Sequence, residues 1–129
     1  MELLDLLLSK ERIDQDRVYL MGLSMGGMGT FELLARRPNT FAAAIAICGG
    51  TNPALLPIYG KDVPLWIFHG AKDVVVKVQQ SRRVVERLQQ LGCSPKYTEY
   101  PDVNHNSWDN AFAEPELLPW LLSHQNINK

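Results

Sequence analysis

Ser24 lies in Gly22-Leu23-Ser24-Met25-Gly26-Gly27, just after the β-branched and aromatic run Arg17-Val18-Tyr19-Leu20-Met21 and just before a helical pattern. A serine on a sharp turn from strand to helix is the arrangement of a nucleophile elbow, G-x-S-x-G. Gly22 and Gly26 are expected because neighbours pack closely around such a turn and leave no room for a Cβ. The helix that opens there turns unpaired N–H groups, and its positive dipole end, toward the point where negative charge develops on an attacked carbonyl. The Met25 N–H, next after the serine, is the expected oxyanion donor. A serine hydroxyl is a poor nucleophile without a base, and the base needs an acid to orient it. Asp73, in Phe68-His69-Gly70-Ala71-Lys72-Asp73, and His105, in Tyr100-Pro101-Asp102-Val103-Asn104-His105, are the candidates for acid and base.

The elements that must hold these residues alternate along the chain. A helix is predicted over about residues 2–11, a strand over 17–21, a helix over 25–36 ended by Pro38, and a strand over 41–48. The run Phe41-Ala42-Ala43-Ala44-Ile45-Ala46-Ile47-Cys48 is continuously apolar, as in a parallel strand buried on both faces. After Gly49-Gly50, Asn52-Pro53 reads as an N-cap and first position of one short turn. A strand follows over 63–68 with Pro64 at its mouth, then a helix over 77–91 stopped by Gly92 and a strand over 96–100. One or two closing helices carry Trp108, Phe112, Leu117, Leu118, Trp120 and Leu121, interrupted at Pro115 and Pro119. Alternation of this kind forces an α/β fold with a parallel sheet and crossover helices. In such a sheet, active-site residues sit beyond the carboxyl ends of the strands. Ser24, Asp73 and His105 follow the first, third and fourth strands, in the chain order Ser, Asp, His of the α/β-hydrolases.

The remaining polar and aromatic candidates have plainer readings. Asp102 and Asp109 are rival acids, but they flank His105 closely and suit surface turns. His69 reads as bracing the Asp73 loop through hydrogen bonds, His124 as solvated in a polar tail, and Arg82-Arg83 as a solvated helix face. Trp66 and Trp120 read as core, and Trp108 either as core or as a pocket wall beside His105.

The chain has 129 residues, a formal net charge of −1 and 46% hydrophobic residues, which suit a single domain spanning 1–129 with a real core. Mixed acidic and basic residues leave no electrostatic footprint for nucleic acid or an anionic membrane. No run approaches the length of a bilayer span. The opening Met1-Glu2-Leu3-Leu4-Asp5-Leu6-Leu7-Leu8 has no basic leader, carries Asp5 inside it and lacks a small-residue cleavage site. It therefore reads as a helix face rather than an export signal, and the chain as written reads as soluble and cytoplasmic. Cys48 and Cys93 are spaced neither as a metal site nor as a disulfide framework, and Cys48 reads as a small buried residue. No metal is expected.

With these residues placed, the chain resembles the C-terminal half of an α/β-hydrolase serine esterase, in the polyhydroxybutyrate depolymerase-like, feruloyl-esterase-like and predicted-peptidase group. The likeness rests on Ile13-Asp14-Gln15-Asp16-Arg17-Val18-Tyr19 leading into Gly22-Leu23-Ser24-Met25-Gly26-Gly27-Met28-Gly29-Thr30, and on Ala46-Ile47-Cys48-Gly49-Gly50. It continues in His69-Gly70-Ala71-Lys72-Asp73 and His105-Asn106-Ser107-Trp108-Asp109. The resemblance implies hydrolysis of small-molecule carboxylic esters with short or accessible acyl groups, no cofactor, and Ser24, Asp73 and His105 in the family's triad positions. A peptidase or thioesterase with the same triad, or a truncated non-catalytic interaction module, are the alternatives. Related full-length enzymes are often secreted.

In that family several strands and helices precede the one that opens this chain, among them the loop that gives a second oxyanion N–H. The implied fold is a truncated α/β-hydrolase of about four parallel strands with flanking helices, lacking the N-terminal strands. The nucleophile strand is then an open sheet edge. The sheet face opposite the elbow helix is then an uncovered apolar patch. Both point to a homo-oligomer that covers the edge or the face. The second oxyanion donor is left to a partner chain, to a side chain such as Thr51 or Asn52, or to water. Loss of one donor typically costs about 10²–10³ in turnover.

Overall fold

The computed structural model describes residues 14–126 together with Leu6. The helix expected over 2–11 lies outside the described residues, Leu6 excepted. Among the described residues, four strands form one parallel sheet in the order β1 (Tyr19–Leu23), β2 (Ala43–Ile47), β3 (Leu65–Gly70) and β4 (Lys96–Tyr100). The helix α1 (Met25–Arg36) joins β1 to β2, and α2 (Gln79–Gln90) joins β3 to β4. A six-residue 3-10 helix, Pro53–Ile58, lies between β2 and β3, and α3 (Ser107–Phe112) and α4 (Leu117–Leu122) follow β4.

The apolar run at 43–47 is buried at all five positions because alternate side chains enter two different cores. Ala44 and Ala46, with Leu65 and Ile67 of β3, pack against Phe31 and Leu34 of α1 and Val84 and Leu88 of α2. Ala43, Ile45 and Ile47, with Trp66 and Phe68, pack instead with Ala111, Leu117 and Leu121 of the closing helices. The strand period of two thus sends one sequence into two layers, and the sheet is the middle of an α/β/α sandwich. The uncovered face expected from the sequence is absent at β2 and β3, where α3 and α4 bury it. β1 does form an edge among the described residues, since it pairs with β2 alone.

Of the strand limits, β4 falls as expected, and β2 is shorter than expected, Ala43–Ile47 rather than 41–48. β1 and β3 begin and end two residues later than the apolar pattern suggests, so β1 runs straight into Ser24. Pro64 lies just outside β3, and its carbonyl still accepts from the Ala44 N–H at 3.0 Å. Asn52 caps the 3-10 helix as expected, its side chain accepting from the Ala54 N–H at 3.0 Å, although that helix runs well beyond one turn. Pro115 separates α3 from α4, but Pro119 sits inside α4 without breaking it. It is the third residue of the helix, where an N–H would have no intrahelical partner to lose.

Candidate active site

The carboxyl ends of β1, β2, β3 and β4 bring together residues that are far apart in sequence. Ser24 closes β1 and opens α1: its N–H donates to the Ile47 carbonyl at 2.8 Å, and its own carbonyl accepts from the Met28 N–H at 3.0 Å. Meeting both demands puts Ser24 at φ 54°, in the left-handed region that a residue with a Cβ seldom occupies. Such strain, typically about 1–3 kcal/mol, persists only where surrounding structure over-determines it.

Close packing explains one of the two motif glycines and not the other. A Cβ on Gly22 would run into the Gly26 backbone and would stand 2.7 Å from Thr30 Oγ1. A Cβ on Gly26 would meet nothing within 4 Å, because that position faces outward from the first turn of α1. The second tight contact is between Gly27 and Gly49: a Cβ on Gly27 would sit 2.9 Å from the Ile47 oxygen and 3.1 Å from the Gly49 Cα. These contacts seat the elbow against the end of β2.

Ser24 Oγ lies 2.8 Å from His105 Nε2, and His105 Nδ1 lies 2.8 Å from Asp73 Oδ2. A carboxylate only accepts, so Nδ1–H donates to Asp73 and Nε2 is left to accept the serine proton. Asp73 Oδ1 accepts from the Val75 and Val76 N–H groups, each at 2.9 Å, which fixes the carboxylate plane. Burial pushes the Asp73 carboxyl upward, but the hydrogen bond from His105 and those from Val76 and Val75 outweigh it and hold the group below its ordinary value. Asp73 is therefore an anion held ready against the imidazole.

His69 and Asn104 complete the support. His69 Nε2 is 2.7 Å from the Val76 carbonyl, so it carries a hydrogen, and Nδ1 then accepts from Ser81 Oγ at 2.6 Å. Burial holds the His69 imidazole below its ordinary value, so it braces the acid loop as a neutral ring, as its sequence position suggests. Asn104 Oδ1 accepts from the Val74 N–H at 3.0 Å and from the His105 N–H at 2.7 Å, tying the Asp73 loop to the His105 loop. The Lys72 N–H to Val103 carbonyl bond, 3.0 Å, adds a second tie.

Of the other candidates, Trp108 is half-buried and meets the His105 ring edge-on, with centroids 5.3 Å apart. It both walls His105 and packs on the second core. Asp102 is a surface residue paired with Lys72 at 3.4 Å, and Asp109 is exposed. Trp66 is core, and Trp120 is half-buried with its ring edge-on to Trp66. Arg82 is exposed but engaged, donating two hydrogen bonds of 2.8 Å to Glu99, and Arg83 lies at the surface. His124 is not solvated: its ring stacks edge-on against Trp120 at 4.7 Å and its Nε2 is buried. Asn52 spends its side-chain oxygen on the Ala54 cap.

Three contributors escape sequence reasoning: Asn104, Ser81 and Cys48. Cys48 is buried as expected, but it also sits at φ 45° at the end of β2, its thiol near the Ser24 backbone and the Ser107 hydroxyl. Only its place at a strand end, level with the elbow, could have pointed to it. An open pocket of about 480 Å³ lies at this end of the sheet, lined by Met28, Thr51, Asn52, Val75, Val76 and Gln80 among others. A larger cavity, about 820 Å³, opens at the opposite end around Val63, Leu65 and Cys93, away from these groups.

A parallel sheet that presents Ser, Asp and His in this order beyond its strands defines an α/β-hydrolase. Within that class, the chain belongs to the phospholipase/carboxylesterase family, whose profile matches residues 1–115. It is 37% identical over 79 residues to a bifunctional acetylxylan esterase/xylanase of Neocallimastix patriciarum, covering 61% of this chain and 12% of that protein. It is 29% identical over 103 residues to an acyl-protein thioesterase 1 of Neurospora crassa, covering 74% of this chain and 42% of that protein. The crystal structure of a thermostable esterase superposes with a TM-score of 0.90 at 36% identity, covering 96% of this chain and 35% of that one. The chain thus spans less than half the length of each of these three. Among the described residues, no helix is long and apolar enough to cross a membrane.

Proposed function

We propose that the protein hydrolyses carboxylic esters through Ser24, His105 and Asp73. The observation that carries this reading is the unbroken relay of two 2.8 Å hydrogen bonds from Ser24 Oγ through His105 to Asp73. Ser24 Oγ bonds to the acyl carbon as its proton passes to His105 Nε2, and the carbonyl electron pair moves onto oxygen. The Met25 N–H, at the first position of α1 and so without an intrahelical acceptor, donates to that oxygen. Collapse breaks the bond to the leaving alkoxide, which takes the proton from His105. Water then attacks the acyl-enzyme by the same route, giving the acid and free Ser24. Asp73 orients the imidazole and stabilises the imidazolium throughout.

Met25, Val74 and Val75 are 82%, 67% and 66% exposed and lie near Ser24 and Asp73 in sequence, so the rim of the site carries apolar side chains beside the polar Thr51, Asn52 and Gln80. Short or accessible acyl esters suit this rim. Thioesters are the second reading, favoured by the thioesterase relative, since the same machinery cleaves both. A second copy of the chain is the proposed partner at the edge that β1 forms among the described residues, and light scattering that finds only monomer at micromolar concentration rejects it. The functional test is turnover of p-nitrophenyl acetate and butyrate and of butyrylthiocholine, with Ser24→Ala as control. Equal rates for the two proteins reject the serine mechanism, and the ester-to-thioester ratio separates the two readings.

A further inference from the structure

The thiol of Cys48 points at the same group of atoms as the relay. One donor atom from each of Cys48, Asp73 and His105 lies within 4.8 Å of the other two. Thiolate sulfur, carboxylate oxygen and imidazole nitrogen are together the donor set of borderline-soft divalent cations. In a tetrahedral zinc site, bonds of roughly 2.0–2.3 Å put the donors about 3.3–3.8 Å apart, so side-chain movements of about an ångström close the set. The His105 ring, 18% exposed, is the member that meets solvent and gives a cation its way in. Ser107, whose Oγ is buried, lies beside the Cys48 thiol.

We propose that Cys48, Asp73 and His105 form an inhibitory binding site for zinc-like cations, through which the metal switches the hydrolase off. Binding releases the Cys48 proton to solvent and forms metal bonds to sulfur, oxygen and one imidazole nitrogen. A metal on His105 Nδ1 leaves the ring proton on Nε2. A metal on Nε2 occupies the lone pair directly. In both arrangements His105 no longer accepts the Ser24 proton. The loss of activity rests on the proposed function above, but the binding does not. The three donors are 25 and 32 residues apart in sequence, so no ligand motif announces them; only the sheet brings them together.

The test is titration of the purified chain with Cd²⁺, read by the ultraviolet thiolate-to-cadmium charge-transfer band, alongside Zn²⁺ inhibition of p-nitrophenyl butyrate turnover. Wild type and Cys93→Ala should show the band and the inhibition. Cys48→Ala should lose the band and require at least the roughly 10–100-fold more Zn²⁺ that loss of even an outer-shell partner costs for the same fractional inhibition. Cys48→Ser, which preserves the shape of the side chain, provides the same comparison should the alanine variant not fold. Mg²⁺ should not inhibit. A band that survives in Cys48→Ala or Cys48→Ser, equal Zn²⁺ sensitivity of these variants and wild type, or no band in wild type overturns the proposal. A wild-type band without ester turnover sinks the hydrolase reading and leaves the binding site standing.

Discussion

His69 Nε2 stands 3.3 Å from Asp73 Oδ2, and neither side chain touches solvent. The Nε2 hydrogen points to the Val76 carbonyl at 2.7 Å and faces the carboxylate as well, so a neutral ring is wedged between the acid and its turn. His69→Phe leaves the Ser81 hydroxyl and the Val76 carbonyl without this partner in a buried setting. Each such loss costs about 1–3 kcal/mol, so the urea midpoint should fall clearly below wild type. Because His69 acts only through Asp73, kcat should fall while KM holds, and His69→Gln should restore part of both stability and rate. A Phe variant with unchanged midpoint and kcat would contradict the bracing role.

The relay itself makes a steeper prediction. Ser24→Ala should reduce p-nitrophenyl butyrate turnover to the residual rate of the remaining site. Asp73→Asn should cost on the order of 10⁴ in kcat, because an amide can donate to Nδ1 and so favour the tautomer with the proton on Nε2. Steady-state kinetics on the folded variants checks this. An Asp73→Asn protein within tenfold of wild type would remove Asp73 from the relay.

Most of what positions the site can be read from the sequence, and the exceptions share a cause. The strand period at Ala43–Ile47, the elbow at Ser24, and the placement of Asp73 and His105 after later strands are local patterns. Cys48, Ser81 and Asn104 act through partners 24, 12 and 30 residues away: the Ser24 backbone, His69 and the Val74 N–H. Apart from the place of Cys48 at a strand end and the bond of Asn104 to the neighbouring His105 N–H, nothing in their own neighbourhood marks them. Gly26 shows the opposite failure, since the motif suggests a crowded position and the first turn of α1 turns it outward. His124 likewise looks polar in sequence, yet the Trp120 ring one turn earlier on the chain gives it an apolar seat.

The two motif glycines should therefore respond differently to alanine. Gly22→Ala forces a methyl into the Gly26 backbone and Thr30, and thermal denaturation should show a large loss of stability or no folded protein. Gly26→Ala places a methyl in open space within a helix, where alanine is favoured over glycine by roughly 0.5–1 kcal/mol. Its melting temperature should equal or exceed wild type. Equal destabilisation by both substitutions would show that the packing around Gly22 is not what sets the requirement.

Arg82 and Glu99 give a pH-dependent signal beside the support of the relay, since Glu99 stands in register with His69 across β3 and β4. Two 2.8 Å hydrogen bonds from the guanidinium, with a third of 2.7 Å from the Tyr97 hydroxyl, hold the Glu99 carboxyl at about 2, against an ordinary 4.5, and outweigh the opposing effect of burial. A folded value below the unfolded one means that the pair stabilises the native state above about pH 4.5. That stabilisation is lost as pH falls toward 2 and the carboxylate takes up its proton. The side chains are 49% and 26% exposed, so solvent screening keeps the contribution small. Arg82→Ala should accordingly be slightly less stable than wild type near neutral pH. The gap should close progressively between about pH 5 and 2. Urea denaturation of both proteins across that range measures it, and a gap independent of pH would assign the Arg82 contribution to packing of its aliphatic stem rather than to Glu99.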